Sequence, residues 1–551
     1  MTELALLFAL LSGLGQGTAK QNAREVYPIR GMVVDALSGG PVARAEVSIF
    51  ADTEEIKTTA DDDGKFVFQG LMAGKYPLYA TAQGYLREGY NQHGTFLTAI
   101  AVGEGLDSEH IVFHLHPQAV IFGKVTNDRG EAVRHAQVML FADGTASEAQ
   151  RRFVQAQMQT NDLGEYRFAH LPAGGYCVAV QAQPWYAQTG FRYVPQPEQN
   201  RSALFVYTGP VNQTADPLLD VVYPITFYPG VTHPEEAGEL RMTAGETEEA
   251  DIQLEAVPSV HIRLTNLPVE EKSGIQIGAN EKIFGSFNAF INVQHRTISP
   301  GEYELTGLPP GEVTLRINQG QGAGLSPRAI DANLIDGEQV DGGETGTTAN
   351  VKGRVTFPLE TGGVGQGGVT LINEENDGVS TQVQKDGTFF FAGLRDGTYR
   401  IFVNFQASGE YVERVAAEGA KTFGREIKIE GAADVQLNIS VGRGLGQVTG
   451  VAKLDRKPEA GVMVLMVPGS GENLEQDSRR DQSDSDGTFT LANVVPGKYV
   501  LLAIENGWGL HWMNPEELKP YRAKGQILTI APNETIKVIA EVQRSVNRRR
   551  Q

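Results

Sequence analysis

Asp386-Gly387-Thr388-Phe389-Phe390-Phe391, followed by Leu394-Arg395-Asp396-Gly397-Thr398-Tyr399-Arg400-Ile401-Phe402-Val403, decides the fold. Residues i and i+2 of a strand share a face. Phe389 and Phe391 therefore point one way, into a core, and Phe390 points the other way. Tyr399, Ile401, Val403 and Phe405 alternate in the same manner. The Asp-Gly before the first strand is a hairpin signal, because Gly accepts φ > 0 without cost. The Gly before the Tyr marks a second tight turn.

The same pattern returns along the chain. It reads Gly-x-Val, an apolar strand, a polar turn with Gly, an aromatic-x-aromatic or aliphatic pair, then Leu-x-x-Gly-x-Tyr. The first copy has Gly31-Met32-Val33, Ala45 to Phe50, Asp63-Gly64-Lys65-Phe66-Val67-Phe68 and Leu71-Met72-Ala73-Gly74-Lys75-Tyr76. The second has Gly123-Lys124-Val125, Gly164-Glu165-Tyr166-Arg167-Phe168 and Leu171 to Tyr176. The fourth has Gly353-Arg354-Val355 before the stretch quoted above, and the last has Gly450-Val451-Ala452, Asp486-Gly487-Thr488-Phe489-Thr490-Leu491 and Val495 to Tyr499. Gly64 and Gly164 lie 100 residues apart, as do Gly387 and Gly487. That spacing is the size of a β-sandwich rather than of a short solenoid repeat. A degenerate third copy falls between, with Ser299-Pro300-Gly301-Glu302-Tyr303-Glu304-Leu305 and Leu308-Pro309-Pro310-Gly311-Glu312-Val313.

A second signature closes each unit: an apolar pair, Gly or Asn with an acid, then an alternating strand. Ile100 to Glu104 before Ile111 to Leu115, Met242 to Glu246 before Ile252 to Leu254, and Leu528 to Glu534 before Ile536 to Val542 are examples. The units expected are residues 26–117, 118–257 with an aromatic-rich insertion at 184–232, 258–347, 348–443 and 444–544. Linkers of a few residues imply a fairly stiff rod. Helical signal is scarce, and Ala146 to Met158 is the one short helix expected.

Composition fits this organisation. The 551 residues exceed what one core uses, and 64 Gly with 26 Pro suit a chain that turns often. With 47 Lys plus Arg against 67 Asp plus Glu, the formal charge is −20, so phosphate backbones and anionic lipid are repelled and nucleic acid is not an expected partner. Cys177 stands alone, which excludes an intramolecular disulfide; its apolar run Tyr176 to Val180 makes it a small core residue. Leu4 to Leu11 is apolar, and small residues at Gly17 and Ala19 place a cleavage site after Ala19, so residues 1–19 are expected to be a signal peptide. Its n-region carries Glu3 and no Lys or Arg. No later segment is apolar over enough residues for a transmembrane helix.

The unit resembles the carboxypeptidase regulatory-like domain. The residues that carry the resemblance are Gly31-x-Val33, Pro41-Val42-x-x-Ala45-x-Val47, Asp63-Gly64-x-Phe66-x-Phe68, Leu71-x-x-Gly74-x-Tyr76 and Ala80-x-x-x-Gly84-Tyr85, with Ala132-Val133-x-x-Ala136-x-Val138 repeating the second of these. Phe227-Tyr228-Pro229-Gly230-Val231-Thr232 looks like a segment of exported bacterial proteins that carry several such domains. The resemblance implies an all-β fold of tandem Ig-like, transthyretin-like (prealbumin-like) β-sandwiches. It is specific for fold and weak for function, because such modules accompany many unrelated proteins.

The chain offers few candidates for chemistry. His233-Pro234-Glu235-Glu236 matches the zinc-peptidase pattern by letter, yet it sits in a Pro-bounded turn with no adjoining domain to supply a third ligand. His110, His114 and His116 share one strand face, where two His at i, i+2 could bind a transition metal; a polar, solvent-facing surface is the simpler account. Asp61-Asp62-Asp63-Gly64 and Asp484-x-Asp486-Gly487 carry oxygen ligands for Ca²⁺, but the second and fourth copies keep the turn without the acid cluster. Trp185 with Tyr186, and Trp508 with Trp512, are the aromatics that would hold a sugar if exposed. There is no Gly-x-Ser-x-Gly elbow, P-loop, His-Glu-x-x-His or Cys-x-x-Cys. No catalytic residue, cofactor or metal is expected. The functional expectation is a non-enzymatic exported protein acting as spacer, scaffold or adhesion surface at the cell envelope, in the periplasm, on the outer surface or outside the cell. Its partner would be a protein or polysaccharide at the cell surface. The alternative is a carbohydrate-binding protein using the aromatics.

Overall fold

The computed structural model describes residues 25–144, 152–187, 191–194, 204–207, 216, 218–267, 275–319, 328–343, 348–358, 367–374, 378–405, 409–431, 434–471 and 473–545. The expected leader, 1–19, lies outside them. Along the rest, strands dominate and fall into five two-sheet units in chain order.

The repeat motif explains how each unit is built. In the first, the Gly-x-Val strand Tyr27–Asp35 lies between the aromatic strand Lys65–Leu71, antiparallel to it, and the closing strand Ile111–Leu115, parallel to it. The opposite sheet orders Glu54–Thr59, Glu46–Ala51, Leu78–Thr81 and Glu88–Gly89. The closing strand also runs parallel to the first strand in the other four units. In the last unit Thr535–Gln543 is long enough to pair with Gly497–Ile504 as well, so its two sheets join at one edge.

Three contacts hold the motif in register. The turn glycines Gly64, Gly164, Gly387 and Gly487 all have positive φ, between 76° and 84°. Their carbonyls accept the N–H of Val33, Val125, Val355 and Ala452, each at 2.8 Å, which ties the Gly-x-Val strand to the turn that follows it. Directly across the ladder, Gly31 faces Phe66, Gly123 faces Tyr166, Gly353 faces Phe389 and Gly450 faces Phe489. The ring lies over the glycine: a Cβ at Gly450 would sit 2.7 Å from Phe489 Cζ, and one at Gly31 would sit 2.8 Å from Phe66 Cζ. Finally, the Tyr after the second turn bends back to its own chain. Tyr76, Tyr176, Tyr399 and Tyr499 donate to the carbonyls of Met72, Pro172, Arg395 and Val495 at 2.7–2.9 Å.

Burial follows the alternation. Phe66, Phe68, Tyr166, Phe168, Phe389, Phe391, Phe489 and Leu491 are all buried, whereas Phe390 is 42% exposed. Among the described residues five separate cores result, one in each unit. A sixth apolar cluster joins the second and third sandwiches, packing Met139, Phe141, Cys177 and Phe227 against Ile283 and Ala289.

Two expectations are corrected. Of the helix expected over 146–158, residues 152–158 belong to the strand Arg152–Gln159, and 146–151 lie outside the described residues. Val154, Ala156 and Met158 face inward and alternate with exposed partners, so cross-strand pairing to Gln137–Asp143 overrides the helix-forming Ala, Gln and Met. Nor do the sandwiches extend as a rod. The first packs directly on the last, because short linkers fix each junction angle without making the angles sum to a straight line.

Candidate functional site

The aromatics singled out from the sequence go to two places. Trp185 follows the strand Gly174–Gln181 and is 78% exposed; its ring meets Tyr186 edge-on, centroids 5.7 Å apart. Tyr186 is half-buried. Tyr223 and Phe227, from the same insertion, are buried, and burial pushes the Tyr223 hydroxyl up to about 12. Phe191–Val194 and Leu204–Tyr207 pair as an antiparallel hairpin.

Trp508 and Trp512 are not free surface. Trp512 is 7% exposed and lies within a cluster with Leu518 and Tyr521, so no ligand can reach its face. Trp508 is half-buried in the contact between the first and last sandwiches. His93 stacks on it at 5.0 Å and 8°, and Phe96 lies at 5.4 Å. The Arg480 guanidinium then fills the space between Phe96 and Trp512, 5.2 Å and 5.0 Å from their centroids. The result is a continuous ladder of π faces and one cation that crosses from one sandwich to the other.

Hydrogen bonds run beside the ladder. Gln482 is 1% exposed, and its amide is fully used: Nε2 donates to Asn91 O at 2.6 Å and to Thr98 Oγ1 at 2.8 Å, and Oε1 lies 3.0 Å from His93 Nδ1. That last contact requires the proton on Nδ1. Thr98 donates to Ser483 O. Ala99 N donates to Asp484 Oδ1 at 3.1 Å, Ser485 N donates to Ala99 O at 3.0 Å, and Ala101 N donates to Ser485 Oγ at 2.8 Å. Lys75 pairs with Asp484 at 2.5 Å. Burial raises the Asp484 carboxyl and Lys75 opposes the shift; burial pushes neighbouring Asp481 up to about 6. Asp484 is marked in the sequence as a turn acid, but nothing local marks Gln482, Thr98 or Ser483.

The carboxylates and imidazoles that the sequence offers to a metal have protein partners in the structure. Asp61 Oδ1 accepts from the amides of Asp63 and Lys65, Asp484 from Ala99 and Lys75, and Asp486 from Thr488. His110 pairs with Asp107 and His116 with Glu88, and the Glu88 hydrogen bond raises the His116 imidazole. His233 precedes a short exposed turn at Pro234–Glu236. Among the described residues no group of three or more His, Cys, Asp or Glu is placed to hold a metal. Cys177 is buried, directs its Sγ to Gly238 O, and is pushed up to about 11 by burial. A cleft of about 960 Å³ opens where the second, third and last sandwiches meet. Its Arg152 is already paired with Asp143 at 3.0 Å and lies 4.9 Å over the Phe284 ring.

Residues 28–109 and 120–203 match the carboxypeptidase regulatory-like domain. The chain thus carries a tandem repeat of that domain. No curated protein matches the chain. Among solved structures, it is similar to the TIE protein of Bacillus anthracis, at 12% identity over 94% of this chain and 74% of that one, TM-score 0.17. It is also similar to a streptococcal ancillary pilin, at 13% identity over 51% and 99%, TM-score 0.19. A pair of B repeat units of the Staphylococcus aureus collagen-binding protein matches at 9% identity over 87% and 94%, TM-score 0.13. No helix among the described residues is long and apolar enough to cross a membrane.

Proposed function

We propose that the chain is a non-catalytic exported protein whose β-sandwiches serve as spacer, scaffold or adhesion surface at the cell envelope, for a protein or polysaccharide partner. One observation carries this reading: the repeated motif is consumed internally. Its turn glycines, ladder glycines, aromatic pairs and tyrosines all bond or pack within their own sandwich, so the repeat specifies a body rather than a reaction site. Fractionation with N-terminal sequencing tests export. The expected product is an envelope or extracellular protein beginning near Lys20; intact protein beginning at Met1 in the cytoplasm overturns it. A peptidase assay with and without added zinc is expected to give no turnover.

The second reading is carbohydrate binding, and the exposure of Trp185 beside Tyr186 favours it. It narrows the sugar-facing aromatics to that pair, since Trp508 and Trp512 are engaged elsewhere. Retention on immobilised polysaccharide that falls with Trp185→Ala, and not with Trp508→Ala, supports this reading over a purely structural one.

A further inference from the structure

Two junctions in this molecule differ in chemistry. The second and third sandwiches share an apolar cluster built around Phe141, Phe227 and Ile283, each 0% exposed. Parting them would put that cluster into water, so the junction is permanent in the way a core is. No such cluster spans the first and last sandwiches, whose cores are separate among the described residues. They are held by hydrogen bonds, one ion pair and the ladder of His93, Trp508, Phe96, Arg480 and Trp512. Polar groups such as Gln482, Thr98 and Ser483 can exchange these bonds for water, so both faces stay soluble when apart.

The recognition is also local on one side. What the last sandwich reads is an extended strip, Asn91 to Ala101, much of it through main-chain atoms: Asn91 O, Ala99 N, Ala99 O and Ala101 N. Lys75 adds a charge beside it. The two faces are unlike each other, so the contact is heterologous and nothing in its geometry requires both to belong to one chain.

We propose that this contact is an exchangeable clasp: the face on the last sandwich also accepts the Asn91–Ala101 strip of a second copy, so the contact that closes one molecule links two. Within one chain the intervening sandwiches already hold the strip beside the face, so dilute protein closes on itself. Chains that cannot close are the ones that pair.

The test uses two full-length variants. Lys75→Glu/Phe96→Ala spoils the strip and leaves the face intact; Asp484→Lys/Trp508→Ala spoils the face and leaves the strip intact. Each alone sets like charges against one another at positions 75 and 484, two carboxylates in the first variant and two ammonium groups in the second. The repulsion acts both within a chain and between identical chains. Each variant is expected to sediment as a monomer, more slowly than the unaltered chain. In an equimolar mixture at about 100 µM no closure competes, and a 1:1 dimer should form. Amide hydrogens of Ala99 and Ala101 in the face-spoiled chain should regain protection only in the mixture. A mixture that sediments as monomers with those amides unprotected overturns the proposal, as does a single variant that stays as compact as the parent. Should either variant lose its cooperative melt, the milder Asp484→Lys/Ala101→Cys and Lys75→Glu/Ser485→Cys chains replace them; each keeps the like-charge block to closure and carries one cysteine on its intact strip or face. On mixing and mild oxidation they are expected to form an intermolecular disulfide, and failure to do so overturns the proposal equally.

Discussion

In the fourth sandwich Gly353 stands across the ladder from Phe389, and the ring occupies the space a Cβ would need. In the third, Leu264 stands across from Tyr303 at the same ladder position. Leu264 is fully buried and Tyr303 is displaced to a half-buried site against His295, centroids 6.1 Å apart. The position after the second turn differs too: Tyr399 bonds back to Arg395 O, whereas Val313 sits there in the third sandwich and packs without a hydroxyl. The lesson is that the glycine and the ring are one unit of volume. Either a small residue admits an inward ring, or a leucine fills the core and the ring moves out.

The sharpest way to break this comparison is Phe389→Ala. A buried Phe costs about 3–5 kcal/mol on truncation, a large share of the ~5–15 kcal/mol a domain possesses. Tyr303→Ala in the third sandwich should cost much less. The fragment 348–443 is expected to melt cooperatively on its own and would report the first loss directly; equal losses at the two sites would show that the ring does not carry the fourth core.

Gly353→Ala comes next. The new methyl overlaps the Phe389 ring, and overpacking of this kind typically costs about 1–3 kcal/mol. Combining it with Phe389→Leu should recover part of that loss by imitating the third sandwich, which a double-mutant cycle in urea would measure.

Acidity separates the two sandwiches by sign. Burial raises Glu281, in the third, from an ordinary 4.5 to about 7. Its protonated form is therefore favoured by folding: the cost of ionising it is absent below about 4.5, grows as pH rises toward 7 and is full above that, so stability is regained as pH falls through 7 toward 4.5, by about 1–2 kcal/mol once residual solvent is allowed for. Asp386, Glu430 and Asp434 in the fourth are shifted downward by their hydrogen bonds to Thr388 and the lysines. They contribute above their ordinary range and are lost only on stronger acidification. Hydrogen exchange at pH 8 and pH 6 should show the third sandwich firming, and Glu281→Gln should abolish the response.

The smallest effects concern single groups. Tyr399→Phe removes one hydrogen bond and should cost about 0.5–1.5 kcal/mol; Phe390→Ala, on the solvent face, should fall within about 0.5 kcal/mol. Thermal melts of the same fragment rank the pair, and a larger loss at Phe390 would mean the strand register is wrong.

What can be read from the sequence is what is local. The i, i+2 spacing of Phe389 and Phe391 carries its own period, so their burial follows without any partner being known. Strand Arg152–Gln159 reads as helix because Ala156 and Met158 favour helix when isolated, and the neighbour that fixes them, Gln137–Asp143, is visible only after pairing. Which residues the clasp brings together leaves no trace in the sequence. Gln482 and Thr98 are ordinary polar residues until they meet, and they are 384 positions apart. Trp508 and Trp512 stand out as unusual residues in loops, but an aromatic in a loop fits a ligand and an interface equally well, and only the placement of His93 and Arg480 decides.

The distance along the chain has a consequence in time. The Asn91–Ala101 strip is made first and its docking face, which ends with Trp508, about 400 residues later. At a synthesis rate of about 5–20 residues per second, the first sandwich waits roughly 20–80 s for its counterpart. A greasy face left uncovered that long would invite aggregation. The polar clasp lets the early sandwich wait in water until the 444–544 sandwich arrives to dock on it.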